Sequence, residues 1–453
     1  MAPRIKFLTD IDKACITANF ADRGYVEGTT SNWNIYWAST SFNSTDISCL
    51  SLNAIMSDVP TCRQLFTSGA PRLAENQIIC HFPNNWELTR KDFLIKIIKR
   101  YKRELEKANY PELVDRFGDG KWGLIDFLPT SYILPADFNL FAEEYRRNPK
   151  TTWIMKPSNS ARGMGIFLIN RLSQIKPWST QLQRFSSAVY ATSSQSTREK
   201  DTYVISRYID RPLLINSKKF DIRLYVLVTS WKPLIAFTYD KGFCRFCSKD
   251  YVIPNGEFLL DDKFVHLTNV SVQQKSEDYN ELHGNKFALS HLFLFLASAF
   301  GKGSCEWVKT QIECVVMHSL RSVKDMISND RHCFECYGYD LIIDSALKVW
   351  LIEINASPSM TSTTVEDRIT KHELVNDILD IVVPPGFPDL PKDGRGGVAT
   401  GEGRERVGGW KFLKGVELVD KIDQRGVEGV LGTSSSRPGS AARPPGVARK
   451  AFY

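Results

Sequence analysis

Between residues 151 and 384, apolar strands alternate with loops and helices. A period of two marks half-buried strands. Lys219-Phe220-Asp221-Ile222-Arg223 shows it before the apolar Leu-Tyr-Val-Leu-Val, while Trp153-Ile-Met-Lys156-Pro157 and Tyr203-Val-Ile-Ser206-Arg207-Tyr208-Ile209 are apolar runs that lead into polar residues. Gly242-Phe-Cys-Arg245-Phe and Val265-His266-Leu-Thr268-Asn269 read as further apolar strands carrying polar groups. Nearer the start, Trp33-Asn-Ile-Tyr36-Trp37 predicts a strand in a small α/β module, and the small polar residues of 38–75 predict a long loop or insertion. From Thr89 the period becomes helical. Thr89 with Asp92 resembles an N-terminal cap, and Phe93, Ile97, Ile98 and Tyr101 recur on one face. The other face carries Arg90, Lys91, Lys96, Lys99, Arg100, Lys102 and Arg103. Such a charge run is usually a solvated face; its second reading is a docking surface for an acidic polymer.

These patterns divide the chain into an N-terminal α/β subdomain (1–80), a central subdomain with the basic helix (81–150), a larger α/β region (151–384) and a tail (385–453). The Ser- and Thr-rich stretch 179–200 reads as a surface loop. Beyond Pro384-Pro385 the tail holds half of the chain's 28 glycines. So little apolar surface would not offset the entropy of ordering it, so disorder is expected there.

Composition adds limits. With 453 residues, 43% hydrophobic and 24% charged, the chain is globular and long enough for two or three subdomains. Its 58 Lys+Arg against 51 Asp+Glu give +7, which favours an acidic partner only where the charge clusters. Charge alone leaves nucleic acid, anionic lipid and acidic protein tails open. No apolar run approaches the roughly 20 residues that span a bilayer, and the start lacks the apolar segment of a signal peptide. The expectation is a cytosolic protein whose ten cysteines are reduced thiols. Cys244/Cys247 and Cys333/Cys336 form two CxxC pairs, but they lie too far apart for a zinc ribbon. Positions three apart on a strand also point to opposite faces, so buried thiols and no zinc are expected.

The richest segment is Tyr337-Gly-Tyr-Asp340-Leu-Ile-Ile-Asp344-Ser-Ala-Leu-Lys348-Val-Trp-Leu-Ile-Glu353-Ile-Asn355. Two strands flanking Ser-Ala-Leu-Lys predict a hairpin. Pairing 344 with 349 puts 342 opposite 351 and Asp340 opposite Glu353, with Asn355 on the same face. Facing carboxylates repel unless a cation lies between them, and oxygen ligands without His or Cys suit magnesium carrying nucleotide phosphates. An exposed hairpin whose acids merely align is the competing reading. A second cluster, Lys156 followed by Arg162-Gly163-Met164-Gly165, offers cations and a glycine turn to phosphate oxygens. A bare Gly-x-Gly is more often only a turn. Lys219, Asp221 and Arg223 share a face, where a nucleotide or a structural ion pair would satisfy them. No GxxxxGK[ST] and no HRD or DFG set is present, which argues against P-loop and protein-kinase chemistry.

Taken in order, Trp-Ile-Met-Lys-Pro (153–157), Lys-Phe-Asp-Ile-Arg (219–223), Phe-Val-His-Leu-Thr-Asn-Val (264–270), Tyr-Gly-Tyr-Asp (337–340) and Leu-Ile-Glu-Ile-Asn-Ala-Ser-Pro-Ser (351–359) resemble the tubulin–tyrosine-ligase-like family, in its polyglutamylase branch. His81-Phe-Pro-Asn and Glu87-Leu-Thr-Arg-Lys-Asp92 match upstream. The resemblance covers roughly residues 1–385, less much of 40–75. It implies an α/β (α+β) architecture with an ATP-grasp-like catalytic region over 151–384. Lys156, Arg162 and Gly163 would cover ATP phosphates. Ser206, Arg207, Tyr208 and Ile209 would form the adenine hinge, and Lys219, Phe220, Asp221, Thr268 and Asn269 would complete the nucleotide pocket. Asp340, Glu353 and Asn355 would hold Mg2+, and Arg245, Lys286 and Lys371 would bind the incoming free glutamate. Lys156, Arg223, Asp340 and Glu353 would carry the chemistry.

The implied reaction is ATP-dependent addition of glutamate, through an acyl phosphate, to side-chain γ-carboxylates of acidic tubulin C-terminal tails. Partner subunits of a polyglutamylase complex would accompany it, with neither nucleic acid nor membrane as partner. The implied place is cytoplasmic, on the cytoskeleton: microtubule, centriole or basal body, or the cilium axoneme. Glycine or tyrosine ligation is the alternative within the fold; a non-catalytic microtubule adaptor is the alternative outside it. Met164 stands where close relatives usually carry Lys, and neither 40–75 nor the tail looks like the family.

Overall fold

The structure, a computed structural model, describes residues 4–39, 65, 73–107, 125–158, 163–175, 202–252, 262–389 and 396–414. Most of the 38–75 loop, the whole 179–200 loop, Arg162 and residues 415–453 therefore lie outside the described residues.

The first layer is a parallel four-stranded sheet of β1 (Lys6–Thr9), β2 (Val26–Glu27), β3 (Ile35–Trp37) and β4 (Ile78–Ile79), ordered β2-β1-β3-β4. The expected aromatic strand is β3, buried on both faces. Helix α1 (Ala14–Asp22) packs this layer against the rest. Next come the short helix α2 (Trp86–Thr89) and the basic helix α3 (Lys91–Lys107). Thr89 does not cap α3: it ends α2, donating its hydroxyl to the Asn85 carbonyl at 3.2 Å, while Asp92 accepts from Arg90. Leu94, Ile95, Ile97 and Ile98 form the buried face of α3, with Phe93 and Tyr101 at its margins.

A second, antiparallel sheet orders β5 (Ser131–Leu134), β8 (Tyr203–Arg207), β6 (Trp153–Pro157) and β7 (Phe167–Ile169), backed by α4 (Phe138–Arg147). Trp153 and Phe141 meet edge to face at 5.0 Å beneath it.

The largest sheet is built on β10 (Lys218–Trp231), fourteen residues free of Gly and Pro and buried after its first residue. It starts from a tight hairpin with β9 (Leu214–Ile215), where Asn216 and Ser217 take φ of 49° and 60°, as primed turns require. β12 (Phe243–Phe246) pairs with its first half and β11 (Leu234–Tyr239) with its second; β14 (Glu335–Ile343) runs along the other side. β13 (Lys286–Ala288) and β15 (Val349–Asn355) extend the edges. The Val265–Asn269 run, read as strand, instead forms two one-turn helices, α5 (Lys263–His266) and α6 (Val270–Gln273), around an extended Leu267–Asn269. Asp262 caps α5 by accepting from Phe264 N at 2.9 Å. Helices α7 (Leu289–Phe300), α8 (Lys302–Val323) and α9 (Val365–Val382) complete the region.

The tail departs from expectation. Residues 396–414 are not disordered: β16 (Arg406–Val407) and β17 (Trp410–Phe412) form a hairpin that adds to β11. Trp410 is fully buried against Tyr239, and Phe412 against Phe237. Its glycines supply positive-φ turns, such as Gly408 at 54°, rather than disorder.

The β14–β15 hairpin places Asp340 opposite Glu353, as expected, by a different register. Ile343 pairs with Val349 and Leu341 with Leu351; an irregularity between Asp340 and Leu341 then restores the 340–353 pairing. Asp344 is a turn residue, accepting from the Ala346 and Lys348 amides at 2.9 and 3.0 Å.

Candidate active site

Strand alternation on β10 sends Lys219, Asp221 and Arg223 to one face and Phe220 to the other. Phe220 is 1% exposed and stacks on Phe246 at 5.2 Å, so it belongs to the core and not to the nucleotide pocket expected for it. On the polar face Arg245 lies opposite Asp221, and Asp340 opposite Arg223. The Arg245 guanidinium donates to both Asp221 oxygens, at 2.8 and 2.5 Å, and lies 2.9 Å from Asp340 Oδ2. Arg223 donates to both Asp340 oxygens, at 2.6 and 3.2 Å. Thr268 donates its hydroxyl to Asp221 at 2.6 Å. Burial works to raise the Asp340 pKa, but Arg223 and Arg245 outweigh it and hold the carboxyl well below the usual carboxylate range. Glu353 lies 3.4 Å from Lys91. The two facing carboxylates thus have cationic partners within the chain, an arrangement the hairpin argument lacked.

A cleft opens between the second sheet and this face. Lys156, Ser206, Arg207, Tyr208 and Ile209 line it from one side; Lys219, Asp221, Arg245, Asp340 and Glu353 line it from the other. Gly163, Thr268 and Asn269 close one end. Gly163 has φ +77°, and a Cβ there would meet Val272 at 3.0 Å and Asn269 Oδ1 at 3.1 Å, so glycine is required. Lys219 donates to the Tyr208 hydroxyl at 2.8 Å and the His266 carbonyl at 2.9 Å; burial lowers its pKa to about 8. Lys156 is 9% exposed and has neither hydrogen bond nor ion pair among the described residues. Burial lowers its pKa, Lys91 adding to the effect and Glu353 opposing it. The Ser158 hydroxyl, two residues on, is also buried without a partner among the described residues. Five cationic side chains and three carboxylates line the cleft, which therefore presents buried, undercompensated positive charge to an anion.

Other expected site residues lie elsewhere. Arg223 stands behind Asp340 and not in the cleft lining. Asn355 sits opposite Gly338 and donates its amide N–H to the Gly338 carbonyl at 3.3 Å. Lys286 and Lys371 also lie outside the lining, both bound to Asp367 on α9. Met164 is 58% exposed and is not among the residues that line the cleft. Conversely, Lys91, Ile154, Ile342 and Leu351 line the cleft without having been expected there. Ile154 is two residues before Lys156 and Ile342 two after Asp340, so strand period alone could have found them. Lys91 was hidden within a charge run. The four CxxC thiols are all buried, Cys244 and Cys247 with pKa values pushed up by burial.

Two sheets closing on a cation-lined cleft, with paired carboxylates at its floor, define a mixed α/β protein of ATP-grasp-like design. A family model described as "Tubulin-tyrosine ligase family" matches residues 71–390, and the chain belongs to that family. It is 39% identical over 425 residues to a probable alpha-tubulin polyglutamylase, Ttll1, of Tetrahymena thermophila, covering 93% of this chain and 95% of that protein. It is 41% identical over 312 residues to the probable tubulin polyglutamylase ttll-9 of Caenorhabditis elegans, covering 69% of each. Bovine TTLL9, a probable tubulin polyglutamylase, is 40% identical over 329 residues, 68% of this chain and 69% of that one.

Proposed function

We propose that this chain is an ATP- and Mg2+-dependent ligase that joins glutamate to side-chain γ-carboxylates of acidic tubulin tails. The relatives named as tubulin polyglutamylases support the reaction class. The observation that carries the nucleotide assignment is Lys156, buried at the cleft with no ion pair to its ammonium among the described residues, beside Lys219 and the oxygen-rich floor. A triphosphate supplies the missing negative charge.

The donor set is all oxygen, the chemistry that suits the metal expected here. Asp340 and Glu353 face each other on paired strands, and the Asn355 N–H is directed to Gly338, leaving its amide oxygen without a partner among the described residues. Asp340, Glu353 and Asn355 would hold the ion, which when bound would neutralise phosphate charge. Lys156 and Lys219 hold the phosphates as the γ-phosphoryl passes from ATP to the tail carboxylate, giving ADP and an acyl phosphate. The amine of glutamate, held by Arg245, Lys286 and Lys371, attacks that carbonyl carbon. The C–O bond to phosphate breaks, phosphate leaves, and the amine's proton passes to solvent.

The basic face of α3 gives the tail a route. Lys96, Lys99, Arg100, Arg103 and Lys107 are exposed along it, and its first residue, Lys91, reaches the cleft. Partner subunits and placement at microtubules, basal bodies or cilia belong to the same proposal. The test is mass spectrometry of tubulin tails after incubation with the chain, its partner subunits, ATP, Mg2+ and a mixture of glutamate and glycine. Stepwise glutamyl additions, abolished by Asp340→Ala, are expected. Glycyl additions alone would replace glutamate in this reading, and equal inactivity of both proteins would favour an adaptor.

A further inference from the structure

Behind the cleft, the same polar sheet face continues into a second charged cluster. Asp367 lies in the first turn of α9, whose N-cap is Thr364; the Thr364 hydroxyl accepts from the Asp367 amide at 3.2 Å. Its carboxylate lies 2.7 Å from Lys286 Nζ through Oδ2 and 2.9 Å from Lys371 Nζ through Oδ1. The Thr363 amide also donates to Oδ2, at 3.1 Å. Each lysine has one further partner from the segment before α9. Lys286 donates to the Thr363 hydroxyl at 2.8 Å, and Lys371 to the Thr361 carbonyl at 2.5 Å. Both ammoniums lie over the Phe243 ring, at 5.1 and 6.0 Å from its centre.

Two like charges held this close in a buried site repel and pay desolvation unless an anion stands between them. Asp367 supplies that anion and leaves the pair with one net positive charge. An ammonium has three N–H donors, so little donor capacity remains on each lysine beyond its Asp367 and threonine partners. Tyr225, on the same strand face two residues past Arg223, points to something still missing. Its side chain is fully buried and its hydroxyl has no partner among the described residues. Burial first, with the Asp367 charge adding, holds that phenol well above its usual value. The Tyr225 ring lies 6.4 Å from Phe243, the ring both ammoniums lie over, and an orphan hydroxyl buried in such a cluster is the pattern of a subsite for a small polar ligand.

We propose that Asp367 is a positioning residue of the amino-acid subsite, holding Lys286 and Lys371 together at a net charge matched to one carboxylate of the incoming amino acid. The proposal rests on the reading that these lysines bind that amino acid. Without Asp367 the two ammoniums separate, and the subsite loses its geometry while the cleft keeps its phosphate-binding lysines. The Asp367→Asn variant keeps the side chain's size and an oxygen for the Thr363 amide, but not the charge.

The experiment measures binding of free glutamate, by calorimetry, to the full chain saturated with a non-hydrolysable ATP analogue and Mg2+. Nucleotide affinity and thermal unfolding are recorded for each variant. Asp367→Asn is expected to weaken glutamate binding about tenfold, the worth of one charge-assisted hydrogen bond, with nucleotide affinity unchanged. Asp367→Glu is expected to recover part of that loss. Glutamate affinity unchanged in Asp367→Asn, or nucleotide affinity falling in parallel, would overturn the proposal. Lys286→Ala and Lys371→Ala separate it from the reading beneath it. If they bind glutamate normally, the subsite assignment itself fails; if they lose it while Asp367→Asn does not, only the role of Asp367 fails. Should Asp367→Asn not fold, Thr363→Val removes a Lys286 partner while keeping the Asp367 charge. A smaller loss confined to glutamate then supports the proposal, and no loss opposes it.

Discussion

At the scale of the residue, Lys219 and Phe220 show what alternation decides. Adjacent in sequence, they end on opposite faces of β10, one against the cleft and one in the core. The motif that named both as nucleotide ligands could not separate them, whereas the period of two could. Lys219 also makes the cleft sensitive to pH. Its pKa near 8 means that an empty cleft loses this charge as pH rises through 8. Bound phosphate favours the protonated lysine, so nucleotide binding takes up a proton in that range. Affinity for an ATP analogue is therefore expected to be flat below pH 8 and to decline above it, with Lys219→Arg removing the decline. Calorimetry in buffers of different ionisation enthalpy checks the proton uptake. The Asp340–Glu353 pairing was legible from hairpin arithmetic, but the arginines that hold Asp340 were not. Arg223 and Arg245 are distant in sequence from Asp340, and only the pairing of β10 with β12 and β14 brings them together.

Among elements, the strands of the cleft were legible because each carries its own period, and α3 because its apolar spacing is helical. What failed was the judgement of residues 396–414 by composition. Glycines that suggested disorder instead serve the turns around β16 and β17, and three buried residues, Trp410, Phe412 and Leu413, fasten the hairpin to β11. Trp410→Ala is expected to destabilise the protein by about 3–5 kcal/mol, the usual cost of emptying a buried aromatic site. Chemical denaturation measures it; a loss below about 0.5 kcal/mol, normal for an exposed position, would mean the hairpin does not pack. The strand reading of 265–269 failed for another reason. Val265 packs α5 against Leu168 and Ile154 of the second sheet, and short apolar runs do not distinguish one helical turn from a strand.

On the scale of the whole molecule, the parallel N-terminal layer and the largest sheet share one core, locked by a buried pair, while the second sheet packs a core of its own. His81, just past β4, directs Nδ1 to Glu335 of β14 at 2.9 Å and Nε2 to the Ala38 carbonyl at 2.9 Å. Asn85 and Tyr337 also donate to Glu335. Burial disfavours the imidazolium, but Cys80 and Glu335 more than offset it and hold His81 well above its usual value. A raised histidine contributes its full stability below the unfolded value of about 6.5 and loses it as pH rises through the folded value. Glu335→Gln is expected to cost about 3–5 kcal/mol near neutral pH, with the gap to the parent narrowing as pH rises. Urea denaturation across pH 6 to about 9 reads both effects. The proposed chemistry requires the cleft between the sheets to be filled by a metal-bearing triphosphate. The most direct measurement is a crystal structure with a non-hydrolysable ATP analogue and Mn2+, using the metal's anomalous signal. The expected result is one ion about 2.1 Å from oxygens of Asp340, Glu353 and Asn355, with Lys156 and Lys219 on the phosphates. An ion bound elsewhere, or a nucleotide that leaves Lys156 without a partner, would contradict it.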